Sequence, residues 1–299
     1  CASAAFLTLT ALAAGREVVI SRGELVEIGG DFRVPDVLAR SGYILKEVGT
    51  TNRTKLADYE KAIGENTAML LRVHPSNYRI IGFTSSPGNA KLAALAREKG
   101  VVFFEDAGSG ALVDLSEYGL GDEPLISRSV AEGADLVAFS GDKLLGGPQS
   151  GIIVGRRDLV ETIRRHPLYR ALRPDKLTYA ALEATLLAYE RGTHFEEIPV
   201  LRMLSMPEAE IETRATAFAN ELRGKLPEGR SFDVDVMRGE SAIGGGSAPG
   251  VHPETTLVAL TGRSVSADEI ERRLRLGNPA VIVRIAEDKV VIGLRTVPP

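Results

Sequence analysis

Leu136-Val-Ala-Phe-Ser-Gly-Asp-Lys-Leu-Leu-Gly-Gly147 is the stretch that decides the fold. Its first four residues are apolar, and such a short run is typical of a strand buried on both faces. Ser140, Asp142 and Lys143 follow at once, with glycines on both sides of the lysine. In open α/β sheets, ligands bind beyond the carboxyl ends of the strands. The stretch therefore predicts a functional lysine at a sheet edge.

Similar apolar runs recur through the first two thirds of the chain. The candidate strands are Glu17–Ser21, Tyr43–Val48, Ala68–His74, Val101–Asp106, Leu136–Ser140 and Gly151–Gly155. The candidate helices between them are Ala2–Ala14, Arg33–Ser41, Lys55–Ile63, Asn89–Lys99 and Ser127–Ala131. This alternation predicts an α/β fold, with a mostly parallel sheet covered by helices on both faces.

The pattern changes after a long helix predicted over Thr178–Arg191. Pro199 and Pro207 bracket a short connection, Val200–Met206. The elements expected beyond it are helix Glu208–Leu226, strands Phe232–Met237 and Thr255–Leu260, helix Ala267–Leu276, and strands Val281–Ile285 and Val290–Leu294. We therefore expect a large domain over residues 1–200 and a small C-terminal α+β domain over residues 207–299.

The composition is that of an ordinary globular protein. The 299 residues are 44% hydrophobic and carry a net charge of −4, which excludes a uniformly basic nucleic-acid binder. No apolar run approaches the roughly 20 residues that a membrane span requires. Cys1 is the single cysteine and the four histidines are scattered. We therefore expect a cytoplasmic protein with no disulfide and no bound metal.

The start of the chain carries a further expectation. It begins with Cys1 rather than Met, and an apolar run leads directly into Arg16 and Glu17. Because no basic segment precedes the run, a signal peptide is not predicted. We expect instead that a segment preceding Cys1 belongs to the natural protein.

Two neighbouring strand ends combine an acid with an amine. Asp106 ends one predicted strand, and Ser140 and Lys143 follow the next. Pyridoxal phosphate requires a lysine that binds it covalently, an acid opposite the pyridine nitrogen, and hydroxyl or amide donors for its phosphate. Taken singly, Asp106 is equally compatible with a cap or turn, and Ser140 with a plain turn hydroxyl. Their combination favours the cofactor site.

The segment Ser140–Gln149 closely resembles the lysine motif of the bacterial selenocysteine synthase family (L-seryl-tRNA(Sec) selenium transferase). Further stretches resemble this family along almost the whole chain. They are Ser21–Gly30, Glu47–Asn52, Arg72–Asn77, Asp106–Gly110, Arg170–Lys176, Gly244–Ser247 and Leu294–Thr296. The resemblance implies fold type I of the pyridoxal-phosphate-dependent transferases, which is the aspartate-aminotransferase-like architecture.

The resemblance also implies roles for particular residues. Lys143 would hold the cofactor and move the Cα proton, with Asp142 beside it tuning that transfer or capping the turn. Asp106 would pair with the pyridine nitrogen. The phosphate would bind to Ser140 and to the amides of the first helix, from Ala2 through Ser3 to Ala4. His74, Ser76 and Asn77 would face the cofactor and substrate, although His74 is equally compatible with a core or turn histidine.

Arg170 and Arg173 form a second group of candidates. Their spacing would place both on one face of a helix, where a solvated surface is the ordinary interpretation. Guanidinium groups also bind oxyanions through paired hydrogen bonds. The resemblance implies that these arginines bind selenophosphate.

The implied reaction converts seryl-tRNA(Sec) into selenocysteinyl-tRNA(Sec) with selenophosphate, through a dehydroalanyl intermediate. Two alternatives stay open. One is a pyridoxal-phosphate-dependent lyase that removes ammonia or water from a small amino acid or a phosphorylated amino-sugar acid. The other is an assembly or RNA-binding module without a cofactor.

The resemblance also concerns assembly and tRNA. It implies a homodimer at least, and a ring of dimers for the full-length protein. The family's N-terminal region, which is associated with tRNA recognition, would precede Cys1. We therefore expect the 299 residues to form the catalytic part, with weakened binding of tRNA and of the cofactor phosphate.

Overall fold

The computed structural model describes residues 1–28, 32–227 and 232–298. Of the family-like stretch Ser21–Gly30, Gly29 and Gly30 lie outside these described residues. The chain divides into two compact units. Unit 1 comprises Cys1–Val200 with Gly244–Gly250, and unit 2 comprises Leu201–Ile243 with Val251–Pro299.

A six-stranded sheet organises unit 1. The strands of the unit are β1 (Glu17–Ser21), β2 (Glu27–Ile28), β3 (Phe32–Arg33), β4 (Ile44–Val48), β5 (Thr67–Val73), β6 (Val102–Gly108), β7 (Leu136–Ser140) and β8 (Gly151–Gly155). The large sheet has the order β4-β1-β5-β6-β7-β8, and β2 and β3 form a separate antiparallel pair. All neighbours from β4 to β7 are parallel, which confirms the predicted mostly parallel sheet.

Single α-helices separate most of the strands of unit 1 up to β7, and four helices follow one another after β8. The helices are α1 (Ala2–Ala13), α2 (Val34–Ala39), α3 (Leu56–Ala62), α4 (Asn89–Lys99), α5 (Ile126–Ala131), α6 (Arg157–Arg165), α7 (Pro167–Leu172), α8 (Lys176–Arg191) and α9 (His194–Glu197). A further helix, α10 (Pro199–Ser205), contains the boundary between the two units. The segment that includes α10 had been expected to be a plain connection, so that expectation was wrong.

The sheet of unit 1 is buried on both faces. Along β1, Val18 and Ile20 belong to one core cluster, and Val19 belongs to the other. Because successive side chains of a strand point to opposite faces, this alternation places one apolar cluster on each side of the sheet. The strands consequently appear in the sequence as short, continuous apolar runs.

Strand β8 differs from the other five strands of the sheet. The six runs had been interpreted as parallel strands, but β8 pairs antiparallel with β7. A parallel pair requires a crossover of about a dozen residues or more, usually with a helix. Residues 141–150 are too few for that and contain no helix in the structure. The chain therefore turns back directly along β7.

Unit 2 contains a four-stranded antiparallel sheet with helices. Its elements are α11 (Glu208–Lys225), β9 (Phe232–Glu240), β10 (Glu254–Gly262), α12 (Ala267–Arg275), β11 (Arg284–Ala286) and β12 (Lys289–Gly293). The sheet order is β11-β12-β10-β9. Ala215 and Ala219 of α11 pack with Val258 and Val290 in its core. The expected α+β composition of the C-terminal region is confirmed.

Candidate active site

The acid and the lysine singled out in the sequence follow adjacent parallel strands. Asp106 lies on β6, in register with Ala138 of β7. Strand β7 ends at Ser140, and Lys143 follows three residues later. Because parallel strands end at the same edge of a sheet, both side chains come to one edge. Both also line one cavity of about 50 Å³.

The Asp106 carboxyl is buried. Its Oδ1 atom accepts a hydrogen bond from the Gly108 amide at 3.1 Å and one from the Cys1 thiol at 3.0 Å. Burial raises the pKa of Asp106 above its ordinary value, and the Gly108 amide and the Lys143 and His74 side chains oppose this only in part. The site therefore favours a cationic partner for this carboxyl.

Lys143 is half-buried, and its Nζ donates a hydrogen bond to the Gly246 carbonyl at 3.0 Å. Gly246 has a φ of +82°, in the left-handed region that favours glycine. A Cβ atom at this position would lie 2.9 Å from the lysine Nζ. The loop Gly244–Gly250 thus meets the amine closely because residue 246 has no side chain.

The cavity is lined by both aliphatic and polar residues. Its lining residues are Cys1, Ala2, Ala5, Val26, Ile28, Val34, Leu38, Val73, His74, Ser76, Asp106, Gly108 and Lys143. The aliphatic residues come from α1, α2, β2, β5 and the segment before β2. A mainly apolar lining with a few polar groups is typical of small-molecule sites in general.

His74 and Ser76, which follow β5, both line the cavity. The His74 Nε2 atom is buried and has no hydrogen-bond partner among the described residues. The Ser76 side chain is buried as well. Asn77 does not line the cavity; its exposed side chain donates to the Glu27 carbonyl at 2.7 Å. The structure thus brings together two of these three candidates.

The start of α1 lies beside the end of β7. Gly151, the cross-strand partner of Ser140, has no Cβ, and an added one would lie 2.8 Å from the Ala4 Cβ. Ala2 and Ser3 occupy the first turn of α1, where backbone amides have no partner within the helix. The Ala4 amide differs, because it donates to the Cys1 carbonyl at 2.8 Å. Ser140 is buried.

The remaining candidates lie away from the cavity lining. Asp142 has an exposed side chain although it precedes Lys143. Arg170 and Arg173 are also exposed. Helix α7 ends at Leu172, and Arg173 is its cap with extended backbone angles. The expectation that both arginines lie on one helix was therefore wrong, because the helix ends between them.

The family model described as L-seryl-tRNA selenium transferase matches residues 1–298. The chain belongs to this family. It is 50% identical over 297 residues to the L-seryl-tRNA(Sec) selenium transferase of Carboxydothermus hydrogenoformans, and 51% identical over 298 residues to that of Hyphomonas neptunium. Each alignment covers 99% of this chain and 63% of the relative. The chain thus spans less than two thirds of the length of these curated relatives.

Among solved structures, the chain is similar to D-glucosaminate-6-phosphate ammonia-lyase, with a TM-score of 0.63. The match covers 100% of this chain and 75% of the other, at 21% sequence identity. At that identity the likeness concerns the fold alone. The predicted fold type I class of this L-seryl-tRNA selenium transferase family member is confirmed.

Two further findings concern the described residues. None of their helices combines the length and apolarity that a membrane span requires. Within the same residues, no three His, Cys, Asp or Glu side chains are grouped as metal ligands would be.

Sequence reasoning missed three groups around the site. The Gly246 carbonyl and the Cys1 thiol contact Lys143 and Asp106, respectively. Glu123, whose Oε1 lies 3.6 Å from the His74 Nε2, was not singled out at all. The glycine run Gly244–Gly246 was a usable signal for the first, since it marks a close approach of backbone. Nothing in the local sequence marked Glu123.

Proposed function

We propose that the protein converts seryl-tRNA(Sec) into selenocysteinyl-tRNA(Sec) with selenophosphate as the selenium donor and pyridoxal 5'-phosphate as cofactor. The observation that carries this proposal is the shared cavity of Lys143 and buried Asp106 in a member of the L-seryl-tRNA selenium transferase family. The same two groups also weigh against a binding module without a cofactor, which would not need them at one cavity.

The residues at the cavity fit pyridoxal phosphate. Asp106 is a buried acid with a raised pKa, which a pyridinium group would relieve. Lys143 offers a primary amine, and His74 and Ser76 add polar side chains at the same cavity. The donor set matches the polar substituents of the cofactor, and the aliphatic wall matches its ring.

Lys143 binds the cofactor covalently and then serves as the base and acid at the substrate Cα. When bound, pyridoxal phosphate withdraws electrons from the substrate Cα. The Lys143 amine would remove the Cα proton, and the serine hydroxyl would leave Cβ as water. Selenium would then add at Cβ, the selenophosphate phosphoryl group would be lost to water as phosphate, and Lys143 would return a proton to Cα. The Gly246 carbonyl, 3.0 Å from Nζ, orients this amine. Asp142, the exposed neighbour, tunes the transfer through its charge.

Asp106 keeps the ring nitrogen protonated. Its carboxylate is fixed by the Gly108 amide, so that its orientation does not depend on the substrate. Ion pairs in a desolvated site are stronger than pairs in water, provided that hydrogen bonds satisfy the remaining lone pairs. His74 and Ser76 complete the polar wall of the cavity, and Asn77 anchors the segment after β5 through the Glu27 carbonyl.

The cofactor phosphate binds at the start of α1 and at Ser140. The amides of Ala2 and Ser3, together with the Ser140 hydroxyl, are its donors. Ala4 packs beside the phosphate without donating to it, because its amide already donates to the Cys1 carbonyl. Gly151 lets the first turn of α1 lie this close to β8, because an added Cβ would lie 2.8 Å from the Ala4 Cβ.

Selenophosphate binds to Arg170 and Arg173. Both guanidinium groups are exposed and are therefore accessible to a multivalent anion. Seryl-tRNA(Sec) supplies the reacting amino acid. Unit 1 carries the chemistry as the large catalytic domain, and unit 2 is the small domain. We place the reaction in the cytoplasm and the working protein in a homodimer or a ring of dimers.

The test is conversion of seryl-tRNA(Sec) by the full-length protein, with pyridoxal phosphate and radiolabelled selenophosphate. Lys143→Ala should abolish transfer of the label to tRNA. Lys91→Ala, which changes an exposed lysine of α4, should leave it intact. Release of a keto acid from a small amino acid without tRNA would instead support the lyase, which the match to the transferase family does not favour.

A further inference from the structure

Glu123 is a buried acid outside the set of residues assigned above. Its Oε2 atom accepts a hydrogen bond from the buried Ser109 hydroxyl. Its Oε1 atom accepts one from the Ala248 amide at 2.5 Å. Burial raises the pKa of Glu123, but the His74 and Ser109 side chains outweigh this effect and hold the pKa below its ordinary value. The carboxylate is therefore charged and fixed at both oxygens.

One of its neighbours is the imidazole at the cavity. Glu123 Oε1 lies 3.6 Å from His74 Nε2, just beyond hydrogen-bond distance. That nitrogen is buried and has no partner among the described residues. Such hydrogen bonds are often long before substrate binds and shorten in the complex. His74 lines the small cavity together with Asp106 and Lys143. It also lines a second cavity of about 360 Å³, together with Arg72 and Glu105.

The other neighbour is the loop that meets the lysine. Ala248 has a φ of +48°, which is unfavourable for a residue with a side chain. Strained backbone of this kind persists only where surrounding contacts hold it. The Glu123 bond to the Ala248 amide is such a contact. Two residues earlier, the Gly246 carbonyl accepts the hydrogen bond of Lys143 Nζ.

We propose that Glu123 is a positioning residue that orients two groups at once, His74 directly and Lys143 through the loop Gly244–Gly250. The proposal rests on the proposed function, since it concerns the same lysine. One carboxylate can act on both His74 and Lys143 because these two side chains line the same cavity. Its loss would release the loop and the imidazole together.

The test compares three variants of the full-length protein. Glu123→Ala removes both the charge and the hydrogen bonds. Glu123→Gln removes the charge but keeps an oxygen for the Ala248 amide, and its amide group can donate to the Ser109 hydroxyl. Asp122→Asn is the matched control, since it changes the adjacent and largely exposed acid. Two measurements need no cofactor: hydrogen exchange of residues 244–250, and the imidazole resonances of protein labelled with ¹⁵N-histidine, with His74 assigned through His74→Asn.

Glu123→Ala should accelerate exchange of the loop by roughly ten- to a hundredfold, because bonds to charged acceptors are among the stronger ones. It should also shift the His74 resonances and slow attachment of pyridoxal phosphate to Lys143. Glu123→Gln should restore slow loop exchange and still shift His74. Asp122→Asn should match the wild type in every measurement.

Unchanged loop exchange and unchanged His74 resonances in Glu123→Ala would overturn the proposal, even if the wild type binds the cofactor. Faster exchange across all of unit 1 would also overturn it, since that indicates general destabilisation. If Glu123→Ala does not fold, Glu123→Gln serves as the test on its own. His74 resonances in Glu123→Gln that equal those of the wild type would contradict the proposal. A wild type that fails to bind pyridoxal phosphate would refute the proposed function and leave these two measurements intact.

Discussion

The contact between Gly246 and Lys143 can be tested by a single methyl group. Gly246→Ala places a Cβ atom 2.9 Å from Nζ and 3.4 Å from Cε of Lys143. Non-bonded carbon and nitrogen atoms keep about 3.5 Å apart, so the amine must retreat by about 0.5 Å or more. Since a 1 Å misplacement of reacting groups costs about a hundredfold in rate, we expect cofactor attachment to slow by roughly tenfold.

The substitution also strains the backbone, and this second effect has a matched control. Gly246 has a φ of +82° and Gly250 of +76°, both in the left-handed region. An alanine there costs about 1–2 kcal/mol of folding free energy. A Cβ atom at Gly250 would meet no atom of the described residues within 4 Å. Gly250→Ala therefore carries the strain without touching the lysine.

The assay is the visible absorption that develops when pyridoxal phosphate attaches to the lysine, followed in both variants beside thermal unfolding. Both should lose a similar amount of stability, about 2–4 °C in melting temperature for each kcal/mol. Only Gly246→Ala should slow the appearance of the band. Equal rates in the two variants would refute the inference that the loop positions the amine.

Three further expectations concern charged groups. Asp106→Asn should weaken pyridoxal phosphate binding by on the order of 10²- to 10³-fold, because it removes the partner of the ring nitrogen. Without cofactor, Asp106→Asn should be no less stable than the wild type in urea titrations at pH 7, because the substitution removes a desolvated carboxylate that destabilises the folded state. Burial raises the pKa of Glu24 from 4.5 to about 7 despite the nearby Arg72, so the folded chain retains a proton that the unfolded chain releases. The contribution of Glu24 to the free energy of unfolding should therefore fall by roughly 3 kcal/mol as the pH rises from about 4.5 to 7, and the wild type should lose about that much stability relative to Glu24→Gln over this range. Arg170→Ala and Arg173→Ala should each raise the KM for selenophosphate by roughly tenfold or more and leave the visible band unchanged; a KM equal to that of the wild type would remove them from the anion site.

Local pattern was enough for much of the fold. The runs Glu17–Ser21, Leu136–Ser140 and Gly151–Gly155 were predicted with the bounds that the structure shows, because apolar runs end abruptly at polar or glycine residues. The edge that joins Asp106 to Lys143 also followed from the sequence, since it depends only on two parallel neighbours.

Contacts between distant parts of the chain were beyond the same reasoning. The direction of β8 depends on the turn that precedes it, rather than on its own residues. Lys143 and Gly246 are 103 positions apart, and Glu123 and Ala248 are 125 apart. The spacing of apolar residues along the sequence does not indicate which distant residues form such pairs. The end of α7 at Leu172 has a local cause that the prediction did not use. A proline disfavours helical backbone at the residue before it, so Arg173, which precedes Pro174, already has extended backbone angles.

The most direct test of the central claim is to identify the lysine that carries the cofactor. Borohydride reduction of the protein with pyridoxal phosphate fixes the cofactor to its lysine, and peptide mapping by mass spectrometry then locates it. We predict that the modification lies on Lys143, and that Lys143→Ala gains no specific label. A label on another lysine, or equal labelling of Lys143→Ala, would contradict the account.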